Sequence, residues 1–163
     1  MLAVGESMAD EPSFDPVEIF RVLNRHGVAY VVVGGYAVAA YGVIRATEDL
    51  DVVVDQSWSN AGRLGPALEE LEATDATGAK TPLTTEVLVR RVDRLFNTRH
   101  GTLHILNQVG TVPPYAQLVP AQEVDIEGER VSVATRDQLR VMKTGTGRLK
   151  DAVDLAELDE TSR

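Results

Sequence analysis

The sequence predicts an α+β fold in which a β-sheet is flanked by helices. Three observations carry that prediction. Short β-branched runs, such as Tyr30–Val33 and Leu50–Val54, have the length and the bounding residues of buried strands. Two further pairs of runs are separated by turn chemistry, Arg99-His100-Gly101 and Glu127-Gly128-Glu129, and read as hairpins. Helix-start signatures of the capping-box type stand outside them. At 163 residues, 44% hydrophobic but only 5% aromatic, the chain is long enough for one aliphatic core. A single domain is expected over 14–163, preceded by a polar, acidic, flexible tail at 1–13.

Taken in order, Asp15-Pro16-Val17-Glu18 opens the first helix. Asp15 caps it, Pro16 takes the first helical position and Glu18 completes the capping box. Phe14 and Ile19 are spaced for a hydrophobic staple, and Gly27 ends the helix. Tyr30–Val33 is a strand running into the turn Gly34-Gly35, and the small residues that follow read as a short helix. Leu50–Val54 is the next strand, and a helix is expected over 59–73, weakened by Gly62, Gly65 and Pro66. Leu95–Thr98 with Thr102–Leu106 forms the first hairpin, and Val124–Ile126 with Val131–Val133 the second. Thr135-Arg136-Asp137-Gln138 is another capping box, starting a helix that reaches about Thr144, and a last helix is expected over 149–158.

Composition narrows the function. With no cysteine there is no disulfide framework, thiol nucleophile or thiolate metal site. The apolar runs fall far short of the roughly 20 residues that span a bilayer. The first residues lack a basic region followed by an apolar one, so a cytoplasmic protein is expected, with no membrane partner. The net charge of −9 argues against gripping a long nucleic acid by bulk electrostatics. Residues 1–89 carry 5 basic and 14 acidic groups, whereas 90–163 carry 11 of each. An anionic ligand is therefore expected to meet groups of the second half.

The chemistry concentrates between Val31 and Asp55. Asp49 and Asp51 alternate on a predicted strand, which puts both carboxylates on one face. Such a pair repels itself unless a divalent cation neutralises it. Upstream, Gly34-Gly35 ends a strand and opens a helix, a turn that offers backbone N–H groups to an anion. Each feature has a plainer reading, a simple turn and a solvated strand edge. Together, in this order and spacing, they describe a site for a metal-bound nucleoside triphosphate.

This segment resembles the nucleotidyltransferases of the DNA polymerase β superfamily, whose signature is Gly-Gly or Gly-Ser, a spacer, then Asp-x-Asp among hydrophobic residues. It is more similar still to small bacterial nucleotidyltransferase-like proteins, some of which are toxins of toxin–antitoxin pairs. Ile44–Asp51 (IRATEDLD), Arg99–Leu106 (RHGTLHIL) and Leu139–Leu155 (LRVMKTGTGRLKDAVDL) carry that closer match. The resemblance implies a minimal fold, a mixed, mostly antiparallel twisted sheet extended by both hairpins, with the last two helices closing one side of a cleft. It implies transfer of an NMP from an NTP to a hydroxyl of an RNA, such as a tRNA end, or of a protein, with a cognate antitoxin as partner. Asp49 and Asp51 would hold Mg²⁺ or Mn²⁺, and Gly34 and Gly35 the outer phosphates. Lys143 would reach the triphosphate. Arg45, beside the carboxylates, reads equally as a phosphate ligand or as a salt-bridge partner of Asp49, and Thr47, with Arg148, Lys150 and Asp151 near the C-terminus, would complete the nucleotide site.

One position departs from the family. Where its members place a third carboxylate, this chain has His104. A neutral imidazole can ligate a metal or accept a proton but adds no negative charge. His104 therefore leaves two expectations, an active enzyme in which it serves as ligand or base, and a nucleotide-binding or partner-binding module that has lost catalysis. Arg90, Arg91, Arg94 and Arg99 form a basic cluster that would seat an RNA or the triphosphate if it bordered the cleft. Of the aromatics able to stack on a base, Trp58 reads as a packing anchor, and Tyr115 remains open.

Overall fold

The computed structural model describes residues 13–43, 46–107, 112–144, Ala156 and Asp159. Helix α1 (Pro16–Arg25) starts where its sequence directs: Asp15 Oδ1 accepts from the Glu18 N–H at 3.4 Å, and Pro16 sits where its missing N–H is not needed. The reciprocal half of the capping box is not made. Asp15 N–H donates to the His100 carbonyl at 2.8 Å, and Glu18 pairs with Arg21 instead. Phe14, expected as a staple, packs edge-on to Tyr36 and against Gly101, where a Cβ would come within 2.8 Å of its ring. These contacts tie the start of α1 to the Arg99-His100 turn, far away in sequence.

Six strands form one sheet: β1 (Tyr30–Val33), β2 (Asp49–Val54), β3 (Arg94–Thr98), β4 (Gly101–Ile105), β5 (Gln122–Ile126) and β6 (Glu129–Val133), in the order β3-β4-β2-β1-β6-β5. The pairs β1–β2, β3–β4 and β5–β6 are antiparallel, and β2–β4 and β1–β6 are parallel. The sheet is thus mixed and mostly antiparallel, with both hairpins extending it outward. All of β1 is buried, as its unbroken apolar run requires of a central strand. The β5–β6 turn places Glu127 at φ +50° and Gly128 at φ +88°, the two-residue geometry that matches strand twist.

The helices are α2 (Gly34–Ala40), α3 (Trp58–Glu70), α4 (Thr85–Leu88), α5 (Tyr115–Leu118) and α6 (Arg136–Thr144). The glycines that weaken α3 have a packing reason at Gly65, where a Cβ would lie 2.6 Å from the Leu83 carbonyl oxygen. Buried Asn60 joins α3 to the sheet, accepting from Ala29 N–H at 2.7 Å and donating to the carbonyls of Ala29 and Asp55 at 3.0 and 2.9 Å. The capping box of α6 is complete: Thr135 N–H donates to Gln138 Oε1 at 2.8 Å and Gln138 N–H to Thr135 Oγ1 at 3.2 Å. α6 is anchored beside α2 by Arg136, whose guanidinium carbon lies 4.6 Å from the centre of the Tyr41 ring. The helix expected over 149–158 lies outside the described residues apart from Ala156, which is helical. Residues 1–12 also lie outside them. Among the described residues no helix is long and apolar enough to cross a membrane.

The outer part of the sheet has two unlike faces. Leu50, Val52, Leu103, Ile105 and Phe96 alternate onto one face and are buried in the core. Asp49, Asp51, Thr102, His104, Leu95 and Asn97 alternate onto the other, and none of them is buried. That open face carries the candidate site.

Candidate functional site

β1 ends at Val33, whose register partner across the antiparallel pair is Asp51. The next residue, Gly34, turns the chain into α2 with φ +70°. A Cβ on Gly34 would lie 2.2 Å from Asp51 Oδ2 and 3.0 Å from both its Cβ and Cγ. Two requirements thus converge on one glycine, a left-handed backbone and a carboxylate pressed against it. Gly35 follows as the second residue of α2, and the N–H groups of a first helical turn have no partner within the helix. Asp49 lies two residues before Asp51 on the same strand face and is exposed, opposite Thr102 of β4.

Parallel pairing of β2 with β4 puts His104 directly beside Asp51. The imidazole Nδ1 lies 3.4 Å from Asp51 Oδ1, with the two side chains 33% and 25% exposed. This pair is half-covered yet reachable from solvent, as a reacting group must be. In the same row Leu95 of the edge strand β3 follows His104 and is exposed. Thr47 is half-buried on the approach to β2.

Lys143 is carried by the last turn of α6, and its side chain lies outside the described part of the structure. Arg45, Arg148, Lys150 and Asp151 also lie outside the described residues. The structure therefore brings together Gly34, Gly35, Asp49, Asp51 and His104 around the N-terminal half of β2. Among the described residues no three or more His, Asp or Glu side chains converge as a self-sufficient metal cage. Two carboxylates on one face suit a hard cation that takes its other ligands from phosphate oxygens and water.

The basic cluster does not form one patch. Arg99 lies on the β3–β4 turn, whereas Arg94 begins β3, about 16 Å away along an extended strand. Arg94 donates to the Val87 carbonyl at 2.7 Å, and burial, then neighbouring Arg90, lowers its guanidinium pKa. Trp58 is 59% exposed and so is not the packing anchor its composition suggested.

A second concavity had no legible signal, because its residues are scattered along the chain. It encloses about 340 Å³ at the C-terminal ends of β2 and β4, with Asp55, Ser57, Arg91, Asn107 and Tyr115 over Val53 and Leu106. Tyr115 is held above the usual phenol pKa by burial, then by the charge of Asp55 and of Glu123.

No family model matches the sequence, nor does any curated protein. Solved structures do match its fold. The lincosamide antibiotic adenylyltransferase LnuA, with lincomycin bound, superposes with a TM-score of 0.61 at 13% identity, covering 89% of this chain and 94% of its own. A Thermotoga maritima protein described as a nucleotidyltransferase gives 0.59 at 17% identity, covering 91% and 97%. An antigenic nucleotidyltransferase-like protein of Paracoccidioides brasiliensis gives 0.56 at 16%, covering 88% and 71%. These structural neighbours are named as an adenylyltransferase, a nucleotidyltransferase and a nucleotidyltransferase-like protein, and the chain has their α+β fold.

Proposed function

We propose that this protein is a metal-dependent nucleotidyltransferase that moves an NMP from an NTP to an acceptor hydroxyl. The observation that carries the reading is the closure of the Gly34 turn onto Asp51, with Asp49 on the same face of β2. A divalent cation shared between these carboxylates and the triphosphate would offset the charge that develops at the α-phosphorus. The backbone of Gly34 and Gly35 would hold the outer phosphates, and Lys143 would assist pyrophosphate departure. Arg45, Thr47, Arg148, Lys150 and Asp151 complete the proposed nucleotide contacts.

For His104 the geometry favours the role of base over that of metal ligand. A proton on Nδ1, facing Asp51, would leave Nε2 as the ring's acceptor, to take the proton of the attacking hydroxyl. The acceptor oxygen then attacks the α-phosphorus and the bond to pyrophosphate breaks. An RNA end or a protein side chain as acceptor, and a toxin role with an antitoxin, belong to this reading as its finer part. The fold is shared with an enzyme named for a lincosamide antibiotic, so small-molecule hydroxyls join the acceptors to be tested.

The second reading, nucleotide binding without transfer, is favoured by one observation: His104 stands where the resemblance places a third carboxylate. One experiment separates the two. The full chain is incubated with each labelled NTP, Mg²⁺ or Mn²⁺, and RNA, lysate protein or a panel of hydroxylated small molecules, beside Asp49→Ala/Asp51→Ala. Label transfer that the double variant abolishes supports the enzyme. No transfer by wild type but transfer by His104→Asp supports the binding module, and failure to bind any NTP refutes both.

A further inference from the structure

The concavity lined by Asp55 and Arg91 is not at the carboxylate pair. Asp55 lies four residues beyond Asp51 on the same strand direction, about 13 Å away at strand rise. A group seated beside Asp55 therefore cannot share one phosphorus with Asp49 and Asp51. At about 340 Å³ the concavity falls at the small end of ligand pockets.

Its lining is chemically particular. Among the described residues only two carry charge, Asp55 and Arg91, of opposite sign. The Arg91 guanidinium makes no ion pair with any described residue. Among the described residues Asp55 accepts only two long bonds, from Ser57 N–H at 3.3 Å and Ser57 Oγ at 3.4 Å, so each of its oxygens retains acceptor capacity. The lining also includes apolar Val53 and Leu106. Asn107 is fixed in orientation, since its Nδ2 donates to the Val92 carbonyl at 2.7 Å and its Oδ1 accepts from Gln56.

One carboxylate, one guanidinium and these aliphatic side chains are complementary to a molecule carrying one ammonium, one carboxylate and an apolar body. We propose that this concavity binds a small zwitterion of amino-acid size, its ammonium on Asp55, its carboxylate on Arg91 and its side chain on Val53 and Leu106. The site is separate from the proposed nucleotide site and does not depend on it. It is joined to that site through β2, whose two halves line the two places.

The chain carries its own reporter. Trp58 is the one tryptophan in the sequence, is exposed, and directly follows Ser57 in the lining. The full protein is titrated with L-leucine and L-phenylalanine, reading Trp58 emission and, independently, heat by calorimetry. L-Leucinamide lacks the carboxylate and N-acetyl-L-leucine lacks the ammonium, and each should bind about tenfold more weakly or worse. Asp55→Asn, whose Oδ1 can still accept from the Ser57 N–H, and Arg91→Gln, on an exposed side chain, should each weaken L-leucine binding by a similar factor with unchanged thermal midpoints. Asp49→Asn/Asp51→Asn should leave it unchanged, which distinguishes this site from the nucleotide site. Absence of both signals with either amino acid overturns the proposal. So does equal binding of the blocked forms, or equal binding by both variants.

Discussion

Replacing Gly34 by alanine separates two effects that converge on that residue. The backbone there has φ +70°, and an L side chain in that region costs roughly 1–2 kcal/mol. The added Cβ would also lie 2.2 Å from Asp51 Oδ2 and 3.0 Å from Asp51 Cβ. The oxygen can rotate away, at about 1 kcal/mol for leaving its rotamer, but the Cβ is fixed to the strand. A total loss of about 2–3 kcal/mol is expected, with the carboxylate displaced. Gly128→Ala is the matched control, with φ +88° and nothing within 4 Å of its added Cβ, so it carries the backbone cost alone. Denaturant unfolding of the two variants gives the difference, and in an Asp51→Ala background the Gly34→Ala cost should shrink by about 1 kcal/mol. Equilibrium binding of NTP with Mg²⁺ should fall at least tenfold in Gly34→Ala and not at all in Gly128→Ala. A Gly34→Ala protein as stable as Gly128→Ala, with wild-type nucleotide binding, would refute the reasoning.

Asn60→Ala removes the partner of three part-buried backbone groups at once, and chemical denaturation should show a loss of about 2–4 kcal/mol. Tyr30 is held above the usual phenol pKa by burial, then by Glu129 and Glu123, against a lowering bond to Asn24. Its neutral form is therefore favoured in the folded state, a contribution fully present below about pH 10 and lost as pH rises further. Denaturation at a series of alkaline pH values should show wild type losing about 1.4 kcal/mol more per pH unit than Tyr30→Phe once the unfolded phenol ionises.

Much of this architecture was legible because the relevant signals are local. The alternation of Asp49, Leu50 and Asp51 follows from strand period alone, and the Thr135–Gln138 capping box closed as its four residues dictate. The Asp15 box closed only by half because a distant carbonyl, that of His100, competed for the same N–H. Helices α4 and α5, of four residues each, are too short to show a period. The proximity of Gly34 to Asp51, and of Asp51 to His104, depends on strand register, which no stretch of sequence states by itself. Trp58 misled for a similar reason: whether an indole is covered depends on what the fold places over it.

The sheet is assembled from three antiparallel pairs joined by two parallel contacts. Antiparallel pairing within β3–β4 and β5–β6 closes short loops, whereas β2–β4 must wait for the intervening chain to cross over. The Asp51–His104 pair straddles that later seam. A nascent chain that has emerged only through β2 already holds both carboxylates but none of β4. Likewise, a fluctuation that detaches the β3–β4 hairpin separates the pair while β1 and β2 stay bonded. The Asp51–His104 pair thus comes together only when the outer hairpin has docked.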